Sequence, residues 1–311
     1  MIDGIINVYK ERGYTSHDVV AKLRGILGQK KIGHTGTLDP EAEGVLPVCL
    51  GKATRLCDML TDKTKTYRAG LLLGKETDTQ DIWGQVLREA DPEDLDCEQV
   101  EEAIMGFVGA YAQIPPMYSA LKVNGKKLYD LARAGKVVER QPRQVFIYEI
   151  HIESVKLPRV VMTVCCSKGT YIRTLCHDIG QRLGCGGCME SLIRTRVDRF
   201  GIEDSLTLTR IRHLKDQGSL DGHLVSIEAM FSHYPAVKAA REGDRLLHNG
   251  NPLKAELTAA DQGEKETEAW KETADGTCFR VYDSSGQFMG VYAWEPDNMR
   301  LKPWKLFFGG G

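Results

Sequence analysis

No apolar run in this 311-residue sequence approaches the ~20 residues needed to cross a bilayer. Its opening stretch, MIDGIINVYKERGYTSHDVV, lacks the basic-then-apolar pattern of a secretory leader. A soluble, cytoplasmic protein is therefore expected, with no membrane partner. The sequence has no GxxxxGK[ST] loop and no convincing GxGxxG turn, which argues against the common nucleotide-dependent classes. Cysteine is present but scattered: nine residues, with Cys185-Gly186-Gly187-Cys188 the sole CxxC and no second pair or HxxxH at zinc spacing. An odd number in a chain this long also speaks against a secreted disulfide framework. Reduced thiols, no metal and no cofactor are expected.

An excess of one charge is missing too, since 41 Lys and Arg stand against 43 Asp and Glu. The near-balance hides a segregation. Met117 to Gln144 holds seven bases against two acids, and Val155 to Phe200 eight against three, whereas Glu89 to Ala103 has eight acids and no base. The two basic stretches, interleaved with tyrosines and glycine turns, suit an RNA backbone; the acidic one suits a solvated face.

With 42% hydrophobic residues the chain can bury a sizeable core, and its length suits two domains. Ser16 is placed to cap a helix whose apolar positions Val19, Val20, Leu23, Ile26 and Leu27 share a face, and Gly28 is placed to end it. Further helices are expected over Lys52–Leu60, Cys97–Val108, Lys126–Ala134 and Thr170–Leu183. Strands are expected over Thr66–Leu73, Ile82–Arg88, Val145–Val155, Val160–Cys166 and Met189–Phe200, with Ala112 to Gly125 a long ordered loop. The fold class is α/β (α+β type): a mixed, mainly antiparallel sheet flanked by helices. After about Ser232, short strands separated by glycine turns read as a small β-rich domain, giving domains over 1–231 and 232–311. Lys254 to Asp275, with seven acids and three bases, reads as an exposed insertion, and Gly309 to Gly311 as a frayed end.

The densest local signal is Gly33-His34-Thr35-Gly36-Thr37-Leu38-Asp39-Pro40, running on through Gly44 and Pro47. Glycines accept backbone angles other residues avoid, and Pro40 pushes Asp39 away from helical geometry. Such a loop holds one carboxylate in one orientation, although Asp-Pro is also a common turn start.

GHTGTLDPEAEGVLPVCLGKATR resembles the signature of the TruB-type tRNA pseudouridine synthases, followed in order by Lys65-Thr66-Tyr67, by Pro115-Pro116-Met117-Tyr118-Ser119-Ala120-Leu121-Lys122 and by Ser167-Lys168-Gly169-Thr170-Tyr171-Ile172-Arg173. The resemblance runs from about Ile5 to Leu208 and continues more weakly to the end. It implies an isomerase that converts the T-arm uridine of tRNA, position 55, to pseudouridine without a cofactor. It makes Asp39 the nucleophile, Arg173 its cation and Tyr67 the active-site tyrosine. Tyr171 and Leu192 then support the site, His34 fills space vacated by flipped bases, and Lys10 meets phosphate. The insertion at about 112–144, with Lys122, Lys126 and Lys127, clamps RNA, and the C-terminal domain is PUA-like. The family's chemistry divides between attack at C1′ and attack on the base. A complete single-chain motif set implies a stand-alone monomer with no guide RNA.

Three residues depart from the family pattern. Glu41 and Glu43 add negative charge beside the nucleophile, and Asp198 stands where glycine is usual. Apart from the resemblance, the residues leave open a non-catalytic tRNA-binding or folding protein on the same scaffold. A redox or metal protein using Cys185 and Cys188 is a third reading.

Overall fold

A computed structural model describes residues 1–92, 94–123, 125–259 and 272–307. Most of the acidic Lys254–Asp275 insertion and the Gly309–Gly311 end lie outside the described residues.

The strands in chain order are β1 (Gly4–Lys10), β2 (Ile32–His34), β3 (Glu43–Leu50), β4 (Lys65–Leu73), β5 (Lys75–Thr77), β6 (Val86–Glu89), β7 (Gly109–Gln113), β8 (Lys122–Val123), β9 (Lys126–Lys127), β10 (Arg143–Lys156), β11 (Arg159–Cys166), β12 (Gly187–Val197), β13 (Phe200–Gly201), β14 (Leu224–Val225), β15 (Ala236–Lys238), β16 (Leu253–Lys254), β17 (Cys278–Tyr282), β18 (Phe288–Glu295) and β19 (Arg300–Leu306). The helices are α1 (Ser16–Leu27), α2 (Cys57–Thr61), α3 (Cys97–Met105), α4 (Leu128–Arg133), α5 (Ile172–Arg182), α6 (Leu208–Asp216) and α7 (Asp244–His248).

Strand period dictates the layering. In β11 every second residue, Val160, Met162, Val164 and Cys166, is buried, and the residues between them are more exposed. These side chains join Tyr67, Ala69 and Leu71 of β4 and Ile147 of β10 in a core that α3 and α5 cover. The main sheet runs β14-β1-β3-β12-β4-β11-β10-β7, with β2 on β3 and β13 on β12. Its neighbours are antiparallel except at β3 and β12, which run parallel through Ile193↔Glu43 and Arg194↔Gly44. On β1 and β3, Ile6, Val8, Leu46 and Val48 face α1 and α6, while Ile5, Val45 and Cys49 face the other way. That second face packs on Phe231, Val291 and Phe307, so the five-stranded sheet β15-β17-β18-β19-β16 shares a core with the main sheet. Each fully buried aliphatic side chain contributes about 1.5–3 kcal/mol to this packing.

Local chemistry moves several expected boundaries. Thr15, not Ser16, caps α1 in a reciprocal box with Asp18, and the buried Ser16 hydroxyl instead accepts the Leu38 N–H at 3.0 Å. The expected Ile82–Arg88 strand is only β6, because Asp78 and Asp81 carboxylates take the Gln85 and Trp83 N–H groups and hold 78–85 as a turn. Lys126 and Lys127 are extended and pair with Val123 and Lys122, so the basic helix shrinks to α4. The Met189–Phe200 strand breaks into β12 and β13 at Asp198, whose φ of 51° is left-handed; this is why glycine suits that turn.

Gly44 sits on the parallel seam with φ 107°, and a Cβ there would lie 2.2 Å from the Arg194 carbonyl oxygen. Gly44→Ala is therefore expected to destabilise the fold by about 3 kcal/mol or more, read as a lower urea midpoint at unchanged m-value. An unchanged midpoint would contradict the close approach.

Candidate active site

The GTLDP loop emerges from β2 and returns into β3, beside the seam between β3 and β12. Thr35 is buried and bonds the Pro47 carbonyl through both its N–H (3.2 Å) and its hydroxyl (3.0 Å). Arg194, only 1% exposed, reaches from β12 beneath the loop. Its Nε donates to the Val45 carbonyl at 2.7 Å, Nη2 to Gly36 O at 3.3 Å and Nη1 to Thr37 O at 3.5 Å. Together with Ser16 on Leu38, these bonds fix the backbone on both sides of Asp39.

Asp39 itself is left open, its side chain 42% exposed, while Arg173 is 5% exposed. The guanidinium meets the carboxylate side-on, Nε to Oδ2 at 2.9 Å and Nη2 to Oδ1 at 3.4 Å. Its remaining hydrogens go to Thr79 O (3.1 Å) and Tyr118 O (2.8 Å), and Asp81 Oδ2 stands 3.8 Å from Nη1. Burial raises the Asp81 carboxyl above its ordinary value, with the Thr79 hydroxyl and Arg173 pulling it back. Arg173 lies in the first turn of α5 because the helix starts at Ile172, not Thr170. Buried Gln113 grips the extended Tyr171, accepting its N–H at 2.7 Å and donating to its carbonyl at 2.9 Å.

Tyr67 lies on β4, 8% exposed, in the same core cluster as Leu38 and Leu192. Burial raises its phenol above the ordinary range, with the Arg194 guanidinium opposing the shift. Leu192 on β12 pairs with Ala69 and is 8% exposed, in the same core cluster. His34 stands edge-on to His17, ring centroids 5.2 Å apart, and burial followed by the His17 and Arg194 charges lowers its pKa.

Lys10 departs from the expected role. It is fully buried rather than facing phosphate, because three carbonyls take its ammonium: Tyr14 O at 2.5 Å, Pro40 O at 3.1 Å and Glu11 O at 3.2 Å. It anchors the residue after Asp39. Burial lowers Lys10 to about 8, Arg194 adding to the shift and Glu43, Asp39 and Glu41 opposing it. An ammonium donates three hydrogen bonds and an amine two. We therefore expect kcat to fall as pH rises through about 8, and the limb to vanish in Lys10→Met. Lys65 is also lowered to about 8, but it bonds Thr61 and Lys63 carbonyls, so Lys65→Met should keep the limb. Between about 8 and the ordinary 10.5 the unfolded chain holds a proton that folded Lys10 has lost, so its contribution to stability rises with pH. The activity loss is then not unfolding. A limb that persists in Lys10→Met would refute this account.

Lys122, Lys126 and Lys127 lie away from Asp39, on the β8–β9 hairpin. Lys127 bonds the Tyr129 hydroxyl at 3.0 Å, and Arg133 lies 5.5 Å from the Tyr129 ring centroid. The hairpin hangs from the segment that gives Tyr118 O to Arg173. Glu41 is not a bare charge beside the nucleophile: Arg12 Nε bonds it at 2.8 Å. Cys185 and Cys188 are buried, and no metal-competent group of three ligands occurs among the described residues. Sequence reasoning passed over Arg194, Asp81 and Gln113 as site residues.

Two family models cover the chain in tandem, the TruB family pseudouridylate synthase N-terminal domain over residues 24–172 and the tRNA pseudouridylate synthase B C-terminal domain over 173–232. The chain belongs to the TruB family of pseudouridylate synthases. A tRNA pseudouridine synthase B from Lachnoclostridium phytofermentans is 49% identical over 98% of this chain and 100% of that protein. One from Alkaliphilus oremlandii is 50% identical over 81% of this chain and 83% of that protein. Among solved structures, a chain in the crystal structure of a Cbf5-Nop10-Gar1 complex superposes with a TM-score of 0.70 at 26% identity, covering 98% of this chain and 85% of that one. The TruB family's mixed sheet with helices and a C-terminal β domain is thus the fold expected from the sequence.

Proposed function

We propose that this TruB-family enzyme isomerises the T-arm uridine of tRNA, position 55, to pseudouridine, with Asp39 as nucleophile. The observation that carries the proposal is an accessible carboxylate clasped side-on by a buried arginine, beside the core cluster that holds Tyr67 and Leu192. The N1–C1′ bond breaks, the base turns, and a C5–C1′ bond forms. C5 gives up its proton and N1 gains one, so atoms balance without a co-reactant. Carboxylates serve in this way at sugar carbons in retaining glycosidases. Arg173 holds Asp39 in one orientation, and Tyr67, held as a neutral phenol, lies against the base. The target must leave its stack to reach Asp39. His34 then occupies the gap, while Lys122, Lys126 and Lys127 hold the phosphate backbone.

We further propose that the enzyme works alone in the cytoplasm as a monomer without guide RNA, and that residues 232–311 form a PUA-like RNA-binding domain. The test is an unmodified tRNA transcript carrying tritium at uridine C5, with no guide RNA or cofactor added. Tritium release that disappears when the T-arm uridine is replaced supports the reading. Release that survives that replacement moves the site elsewhere in the RNA. No release with tRNA binding intact favours the binding-protein alternative.

A further inference from the structure

The mechanism above gives no work to Trp83, yet its backbone and its ring are each tied to the site. It lies in the turn between β5 and β6 and is 42% exposed, on a hairpin whose Ile82, Val86 and Leu87 are exposed as well. Its backbone N–H donates to Asp81 Oδ1 at 3.2 Å, and the other oxygen of that carboxylate stands 3.8 Å from Arg173 Nη1. From the opposite side, the Arg12 guanidinium lies over the indole, 5.1 Å from the ring centroid, and its Nε bonds Glu41, two residues beyond Asp39. Asp39, Arg173, Asp81, Trp83, Arg12 and Glu41 thus close a circuit around the mouth of the site.

We propose that Trp83 is a stacking platform for a nucleobase adjoining the flipped uridine, and so a substrate-positioning residue. The inference rests on the assignment of the reaction to Asp39. Extracting a nucleotide removes stacking from both of its neighbours, and an exposed aromatic ring at the extraction point restores it to one. A large apolar ring whose backbone is fixed by Asp81 and whose face is held by Arg12 is pre-ordered for a planar partner. Arg12 covers the ring, so one base stacks on the exposed remainder, and the guanidinium adds charge complementarity to the adjoining phosphate. Glu41 has a part here: it holds Arg12 over the indole.

The experiment measures kcat and KM of the full-length enzyme on tRNA transcripts that are intact or carry an abasic site at either nucleotide flanking the target. Trp83→Ala is expected to raise KM about tenfold with kcat within twofold, and Trp83→Phe to retain most of the affinity. On one of the abasic transcripts wild type should lose about the same factor and Trp83→Ala should lose nothing more. Unchanged KM in Trp83→Ala overturns the proposal. So do penalties that add on both abasic transcripts, which would mean that the ring only braces Arg12. Melting curves exclude misfolding, and Trp83→Phe guards against a cavity artefact. Failure of the Asp39 assignment shows itself separately, as turnover retained in Asp39→Asn, whatever Trp83 does.

Discussion

Asp39→Asn is expected to abolish pseudouridine formation if Asp39 is the proposed nucleophile, with a loss in kcat of more than about 10⁴-fold, as for a lost nucleophile in other covalent enzymes. The amide matches the carboxylate in shape but cannot attack a sugar carbon. Its effect on the fold should be small. The Asp39 side chain is 42% exposed, so removing its charge forfeits a partly screened attraction, discounted by solvent. Arg173 keeps its bonds to Thr79 and Tyr118 carbonyls and stays in place. The GTLDP loop is held by Ser16, Thr35, Lys10 and Arg194, none of which bonds the Asp39 side chain. We therefore expect a melting temperature within a few degrees of wild type and tRNA binding of similar strength. The measurements are tritium release, thermal melting and binding of the same transcript. Turnover retained by the variant would sink the assignment, and collapse of the fold would show that the loop is less independent of Asp39 than its hydrogen bonds indicate.

The Asp39 loop was legible in the chain because strong local rules set it, whereas Tyr67, Tyr171, Arg173 and Leu192 were reached only through the family resemblance, Arg173 standing 134 residues from Asp39. Glycine and proline mark the Asp39 loop, helical spacing marks α1 and α5, and runs of strand-forming residues mark β4 and β11. The illegible parts depend on residues distant in sequence. Arg194 reads as one of several charges in its strand, beside Glu190 and Arg196, and only the β3–β12 pairing brings it under carbonyls about 150 residues away. Asp81 reads as a turn residue in KETDTQD, and it is a turn residue; that its second oxygen also faces Arg173 needs the whole sheet. Lys10 misled for a related reason. The family resemblance assigns it to phosphate, but the Asp39 loop closes over it and leaves three carbonyls to satisfy. Ser16 was the expected cap of α1, but its hydroxyl is taken by the Leu38 N–H and Thr15 caps the helix instead.

Arg173→Met is expected to cost both activity and stability, and the comparison with Arg173→Lys separates the two. The guanidinium serves four groups at once: both Asp39 oxygens and two backbone carbonyls from separate segments. An ammonium keeps the charge but is a point donor and cannot span that fork. Arg173→Lys should therefore lose about 10²-fold in kcat with modest destabilisation, and Arg173→Met about 10³-fold or more. For stability, removing one partner of a buried pair costs about 3–5 kcal/mol. The lower end applies here, because Asp39 is open to water and only Arg173 is deeply buried. The residual carboxylate that suffers is Asp81, whose side chain is 15% exposed and whose carboxyl burial already raises. Loss of the cation raises it further. Its folded value then lies above the ordinary 3.8, so the folded state binds the proton more tightly than the unfolded state does. That penalty grows as pH rises through 3.8 and is complete above the folded value. The stability deficit of Arg173→Met relative to wild type is accordingly expected to shrink on acidification towards the ordinary carboxylate range, measured by urea unfolding at a series of pH values. In Arg173→Met/Asp81→Asn, which has no Asp81 carboxylate to strand, that pH dependence should be lost. A deficit that stays constant with pH would mean that Arg173 stabilises the fold through its carbonyl contacts alone and that Asp81 takes no electrostatic part.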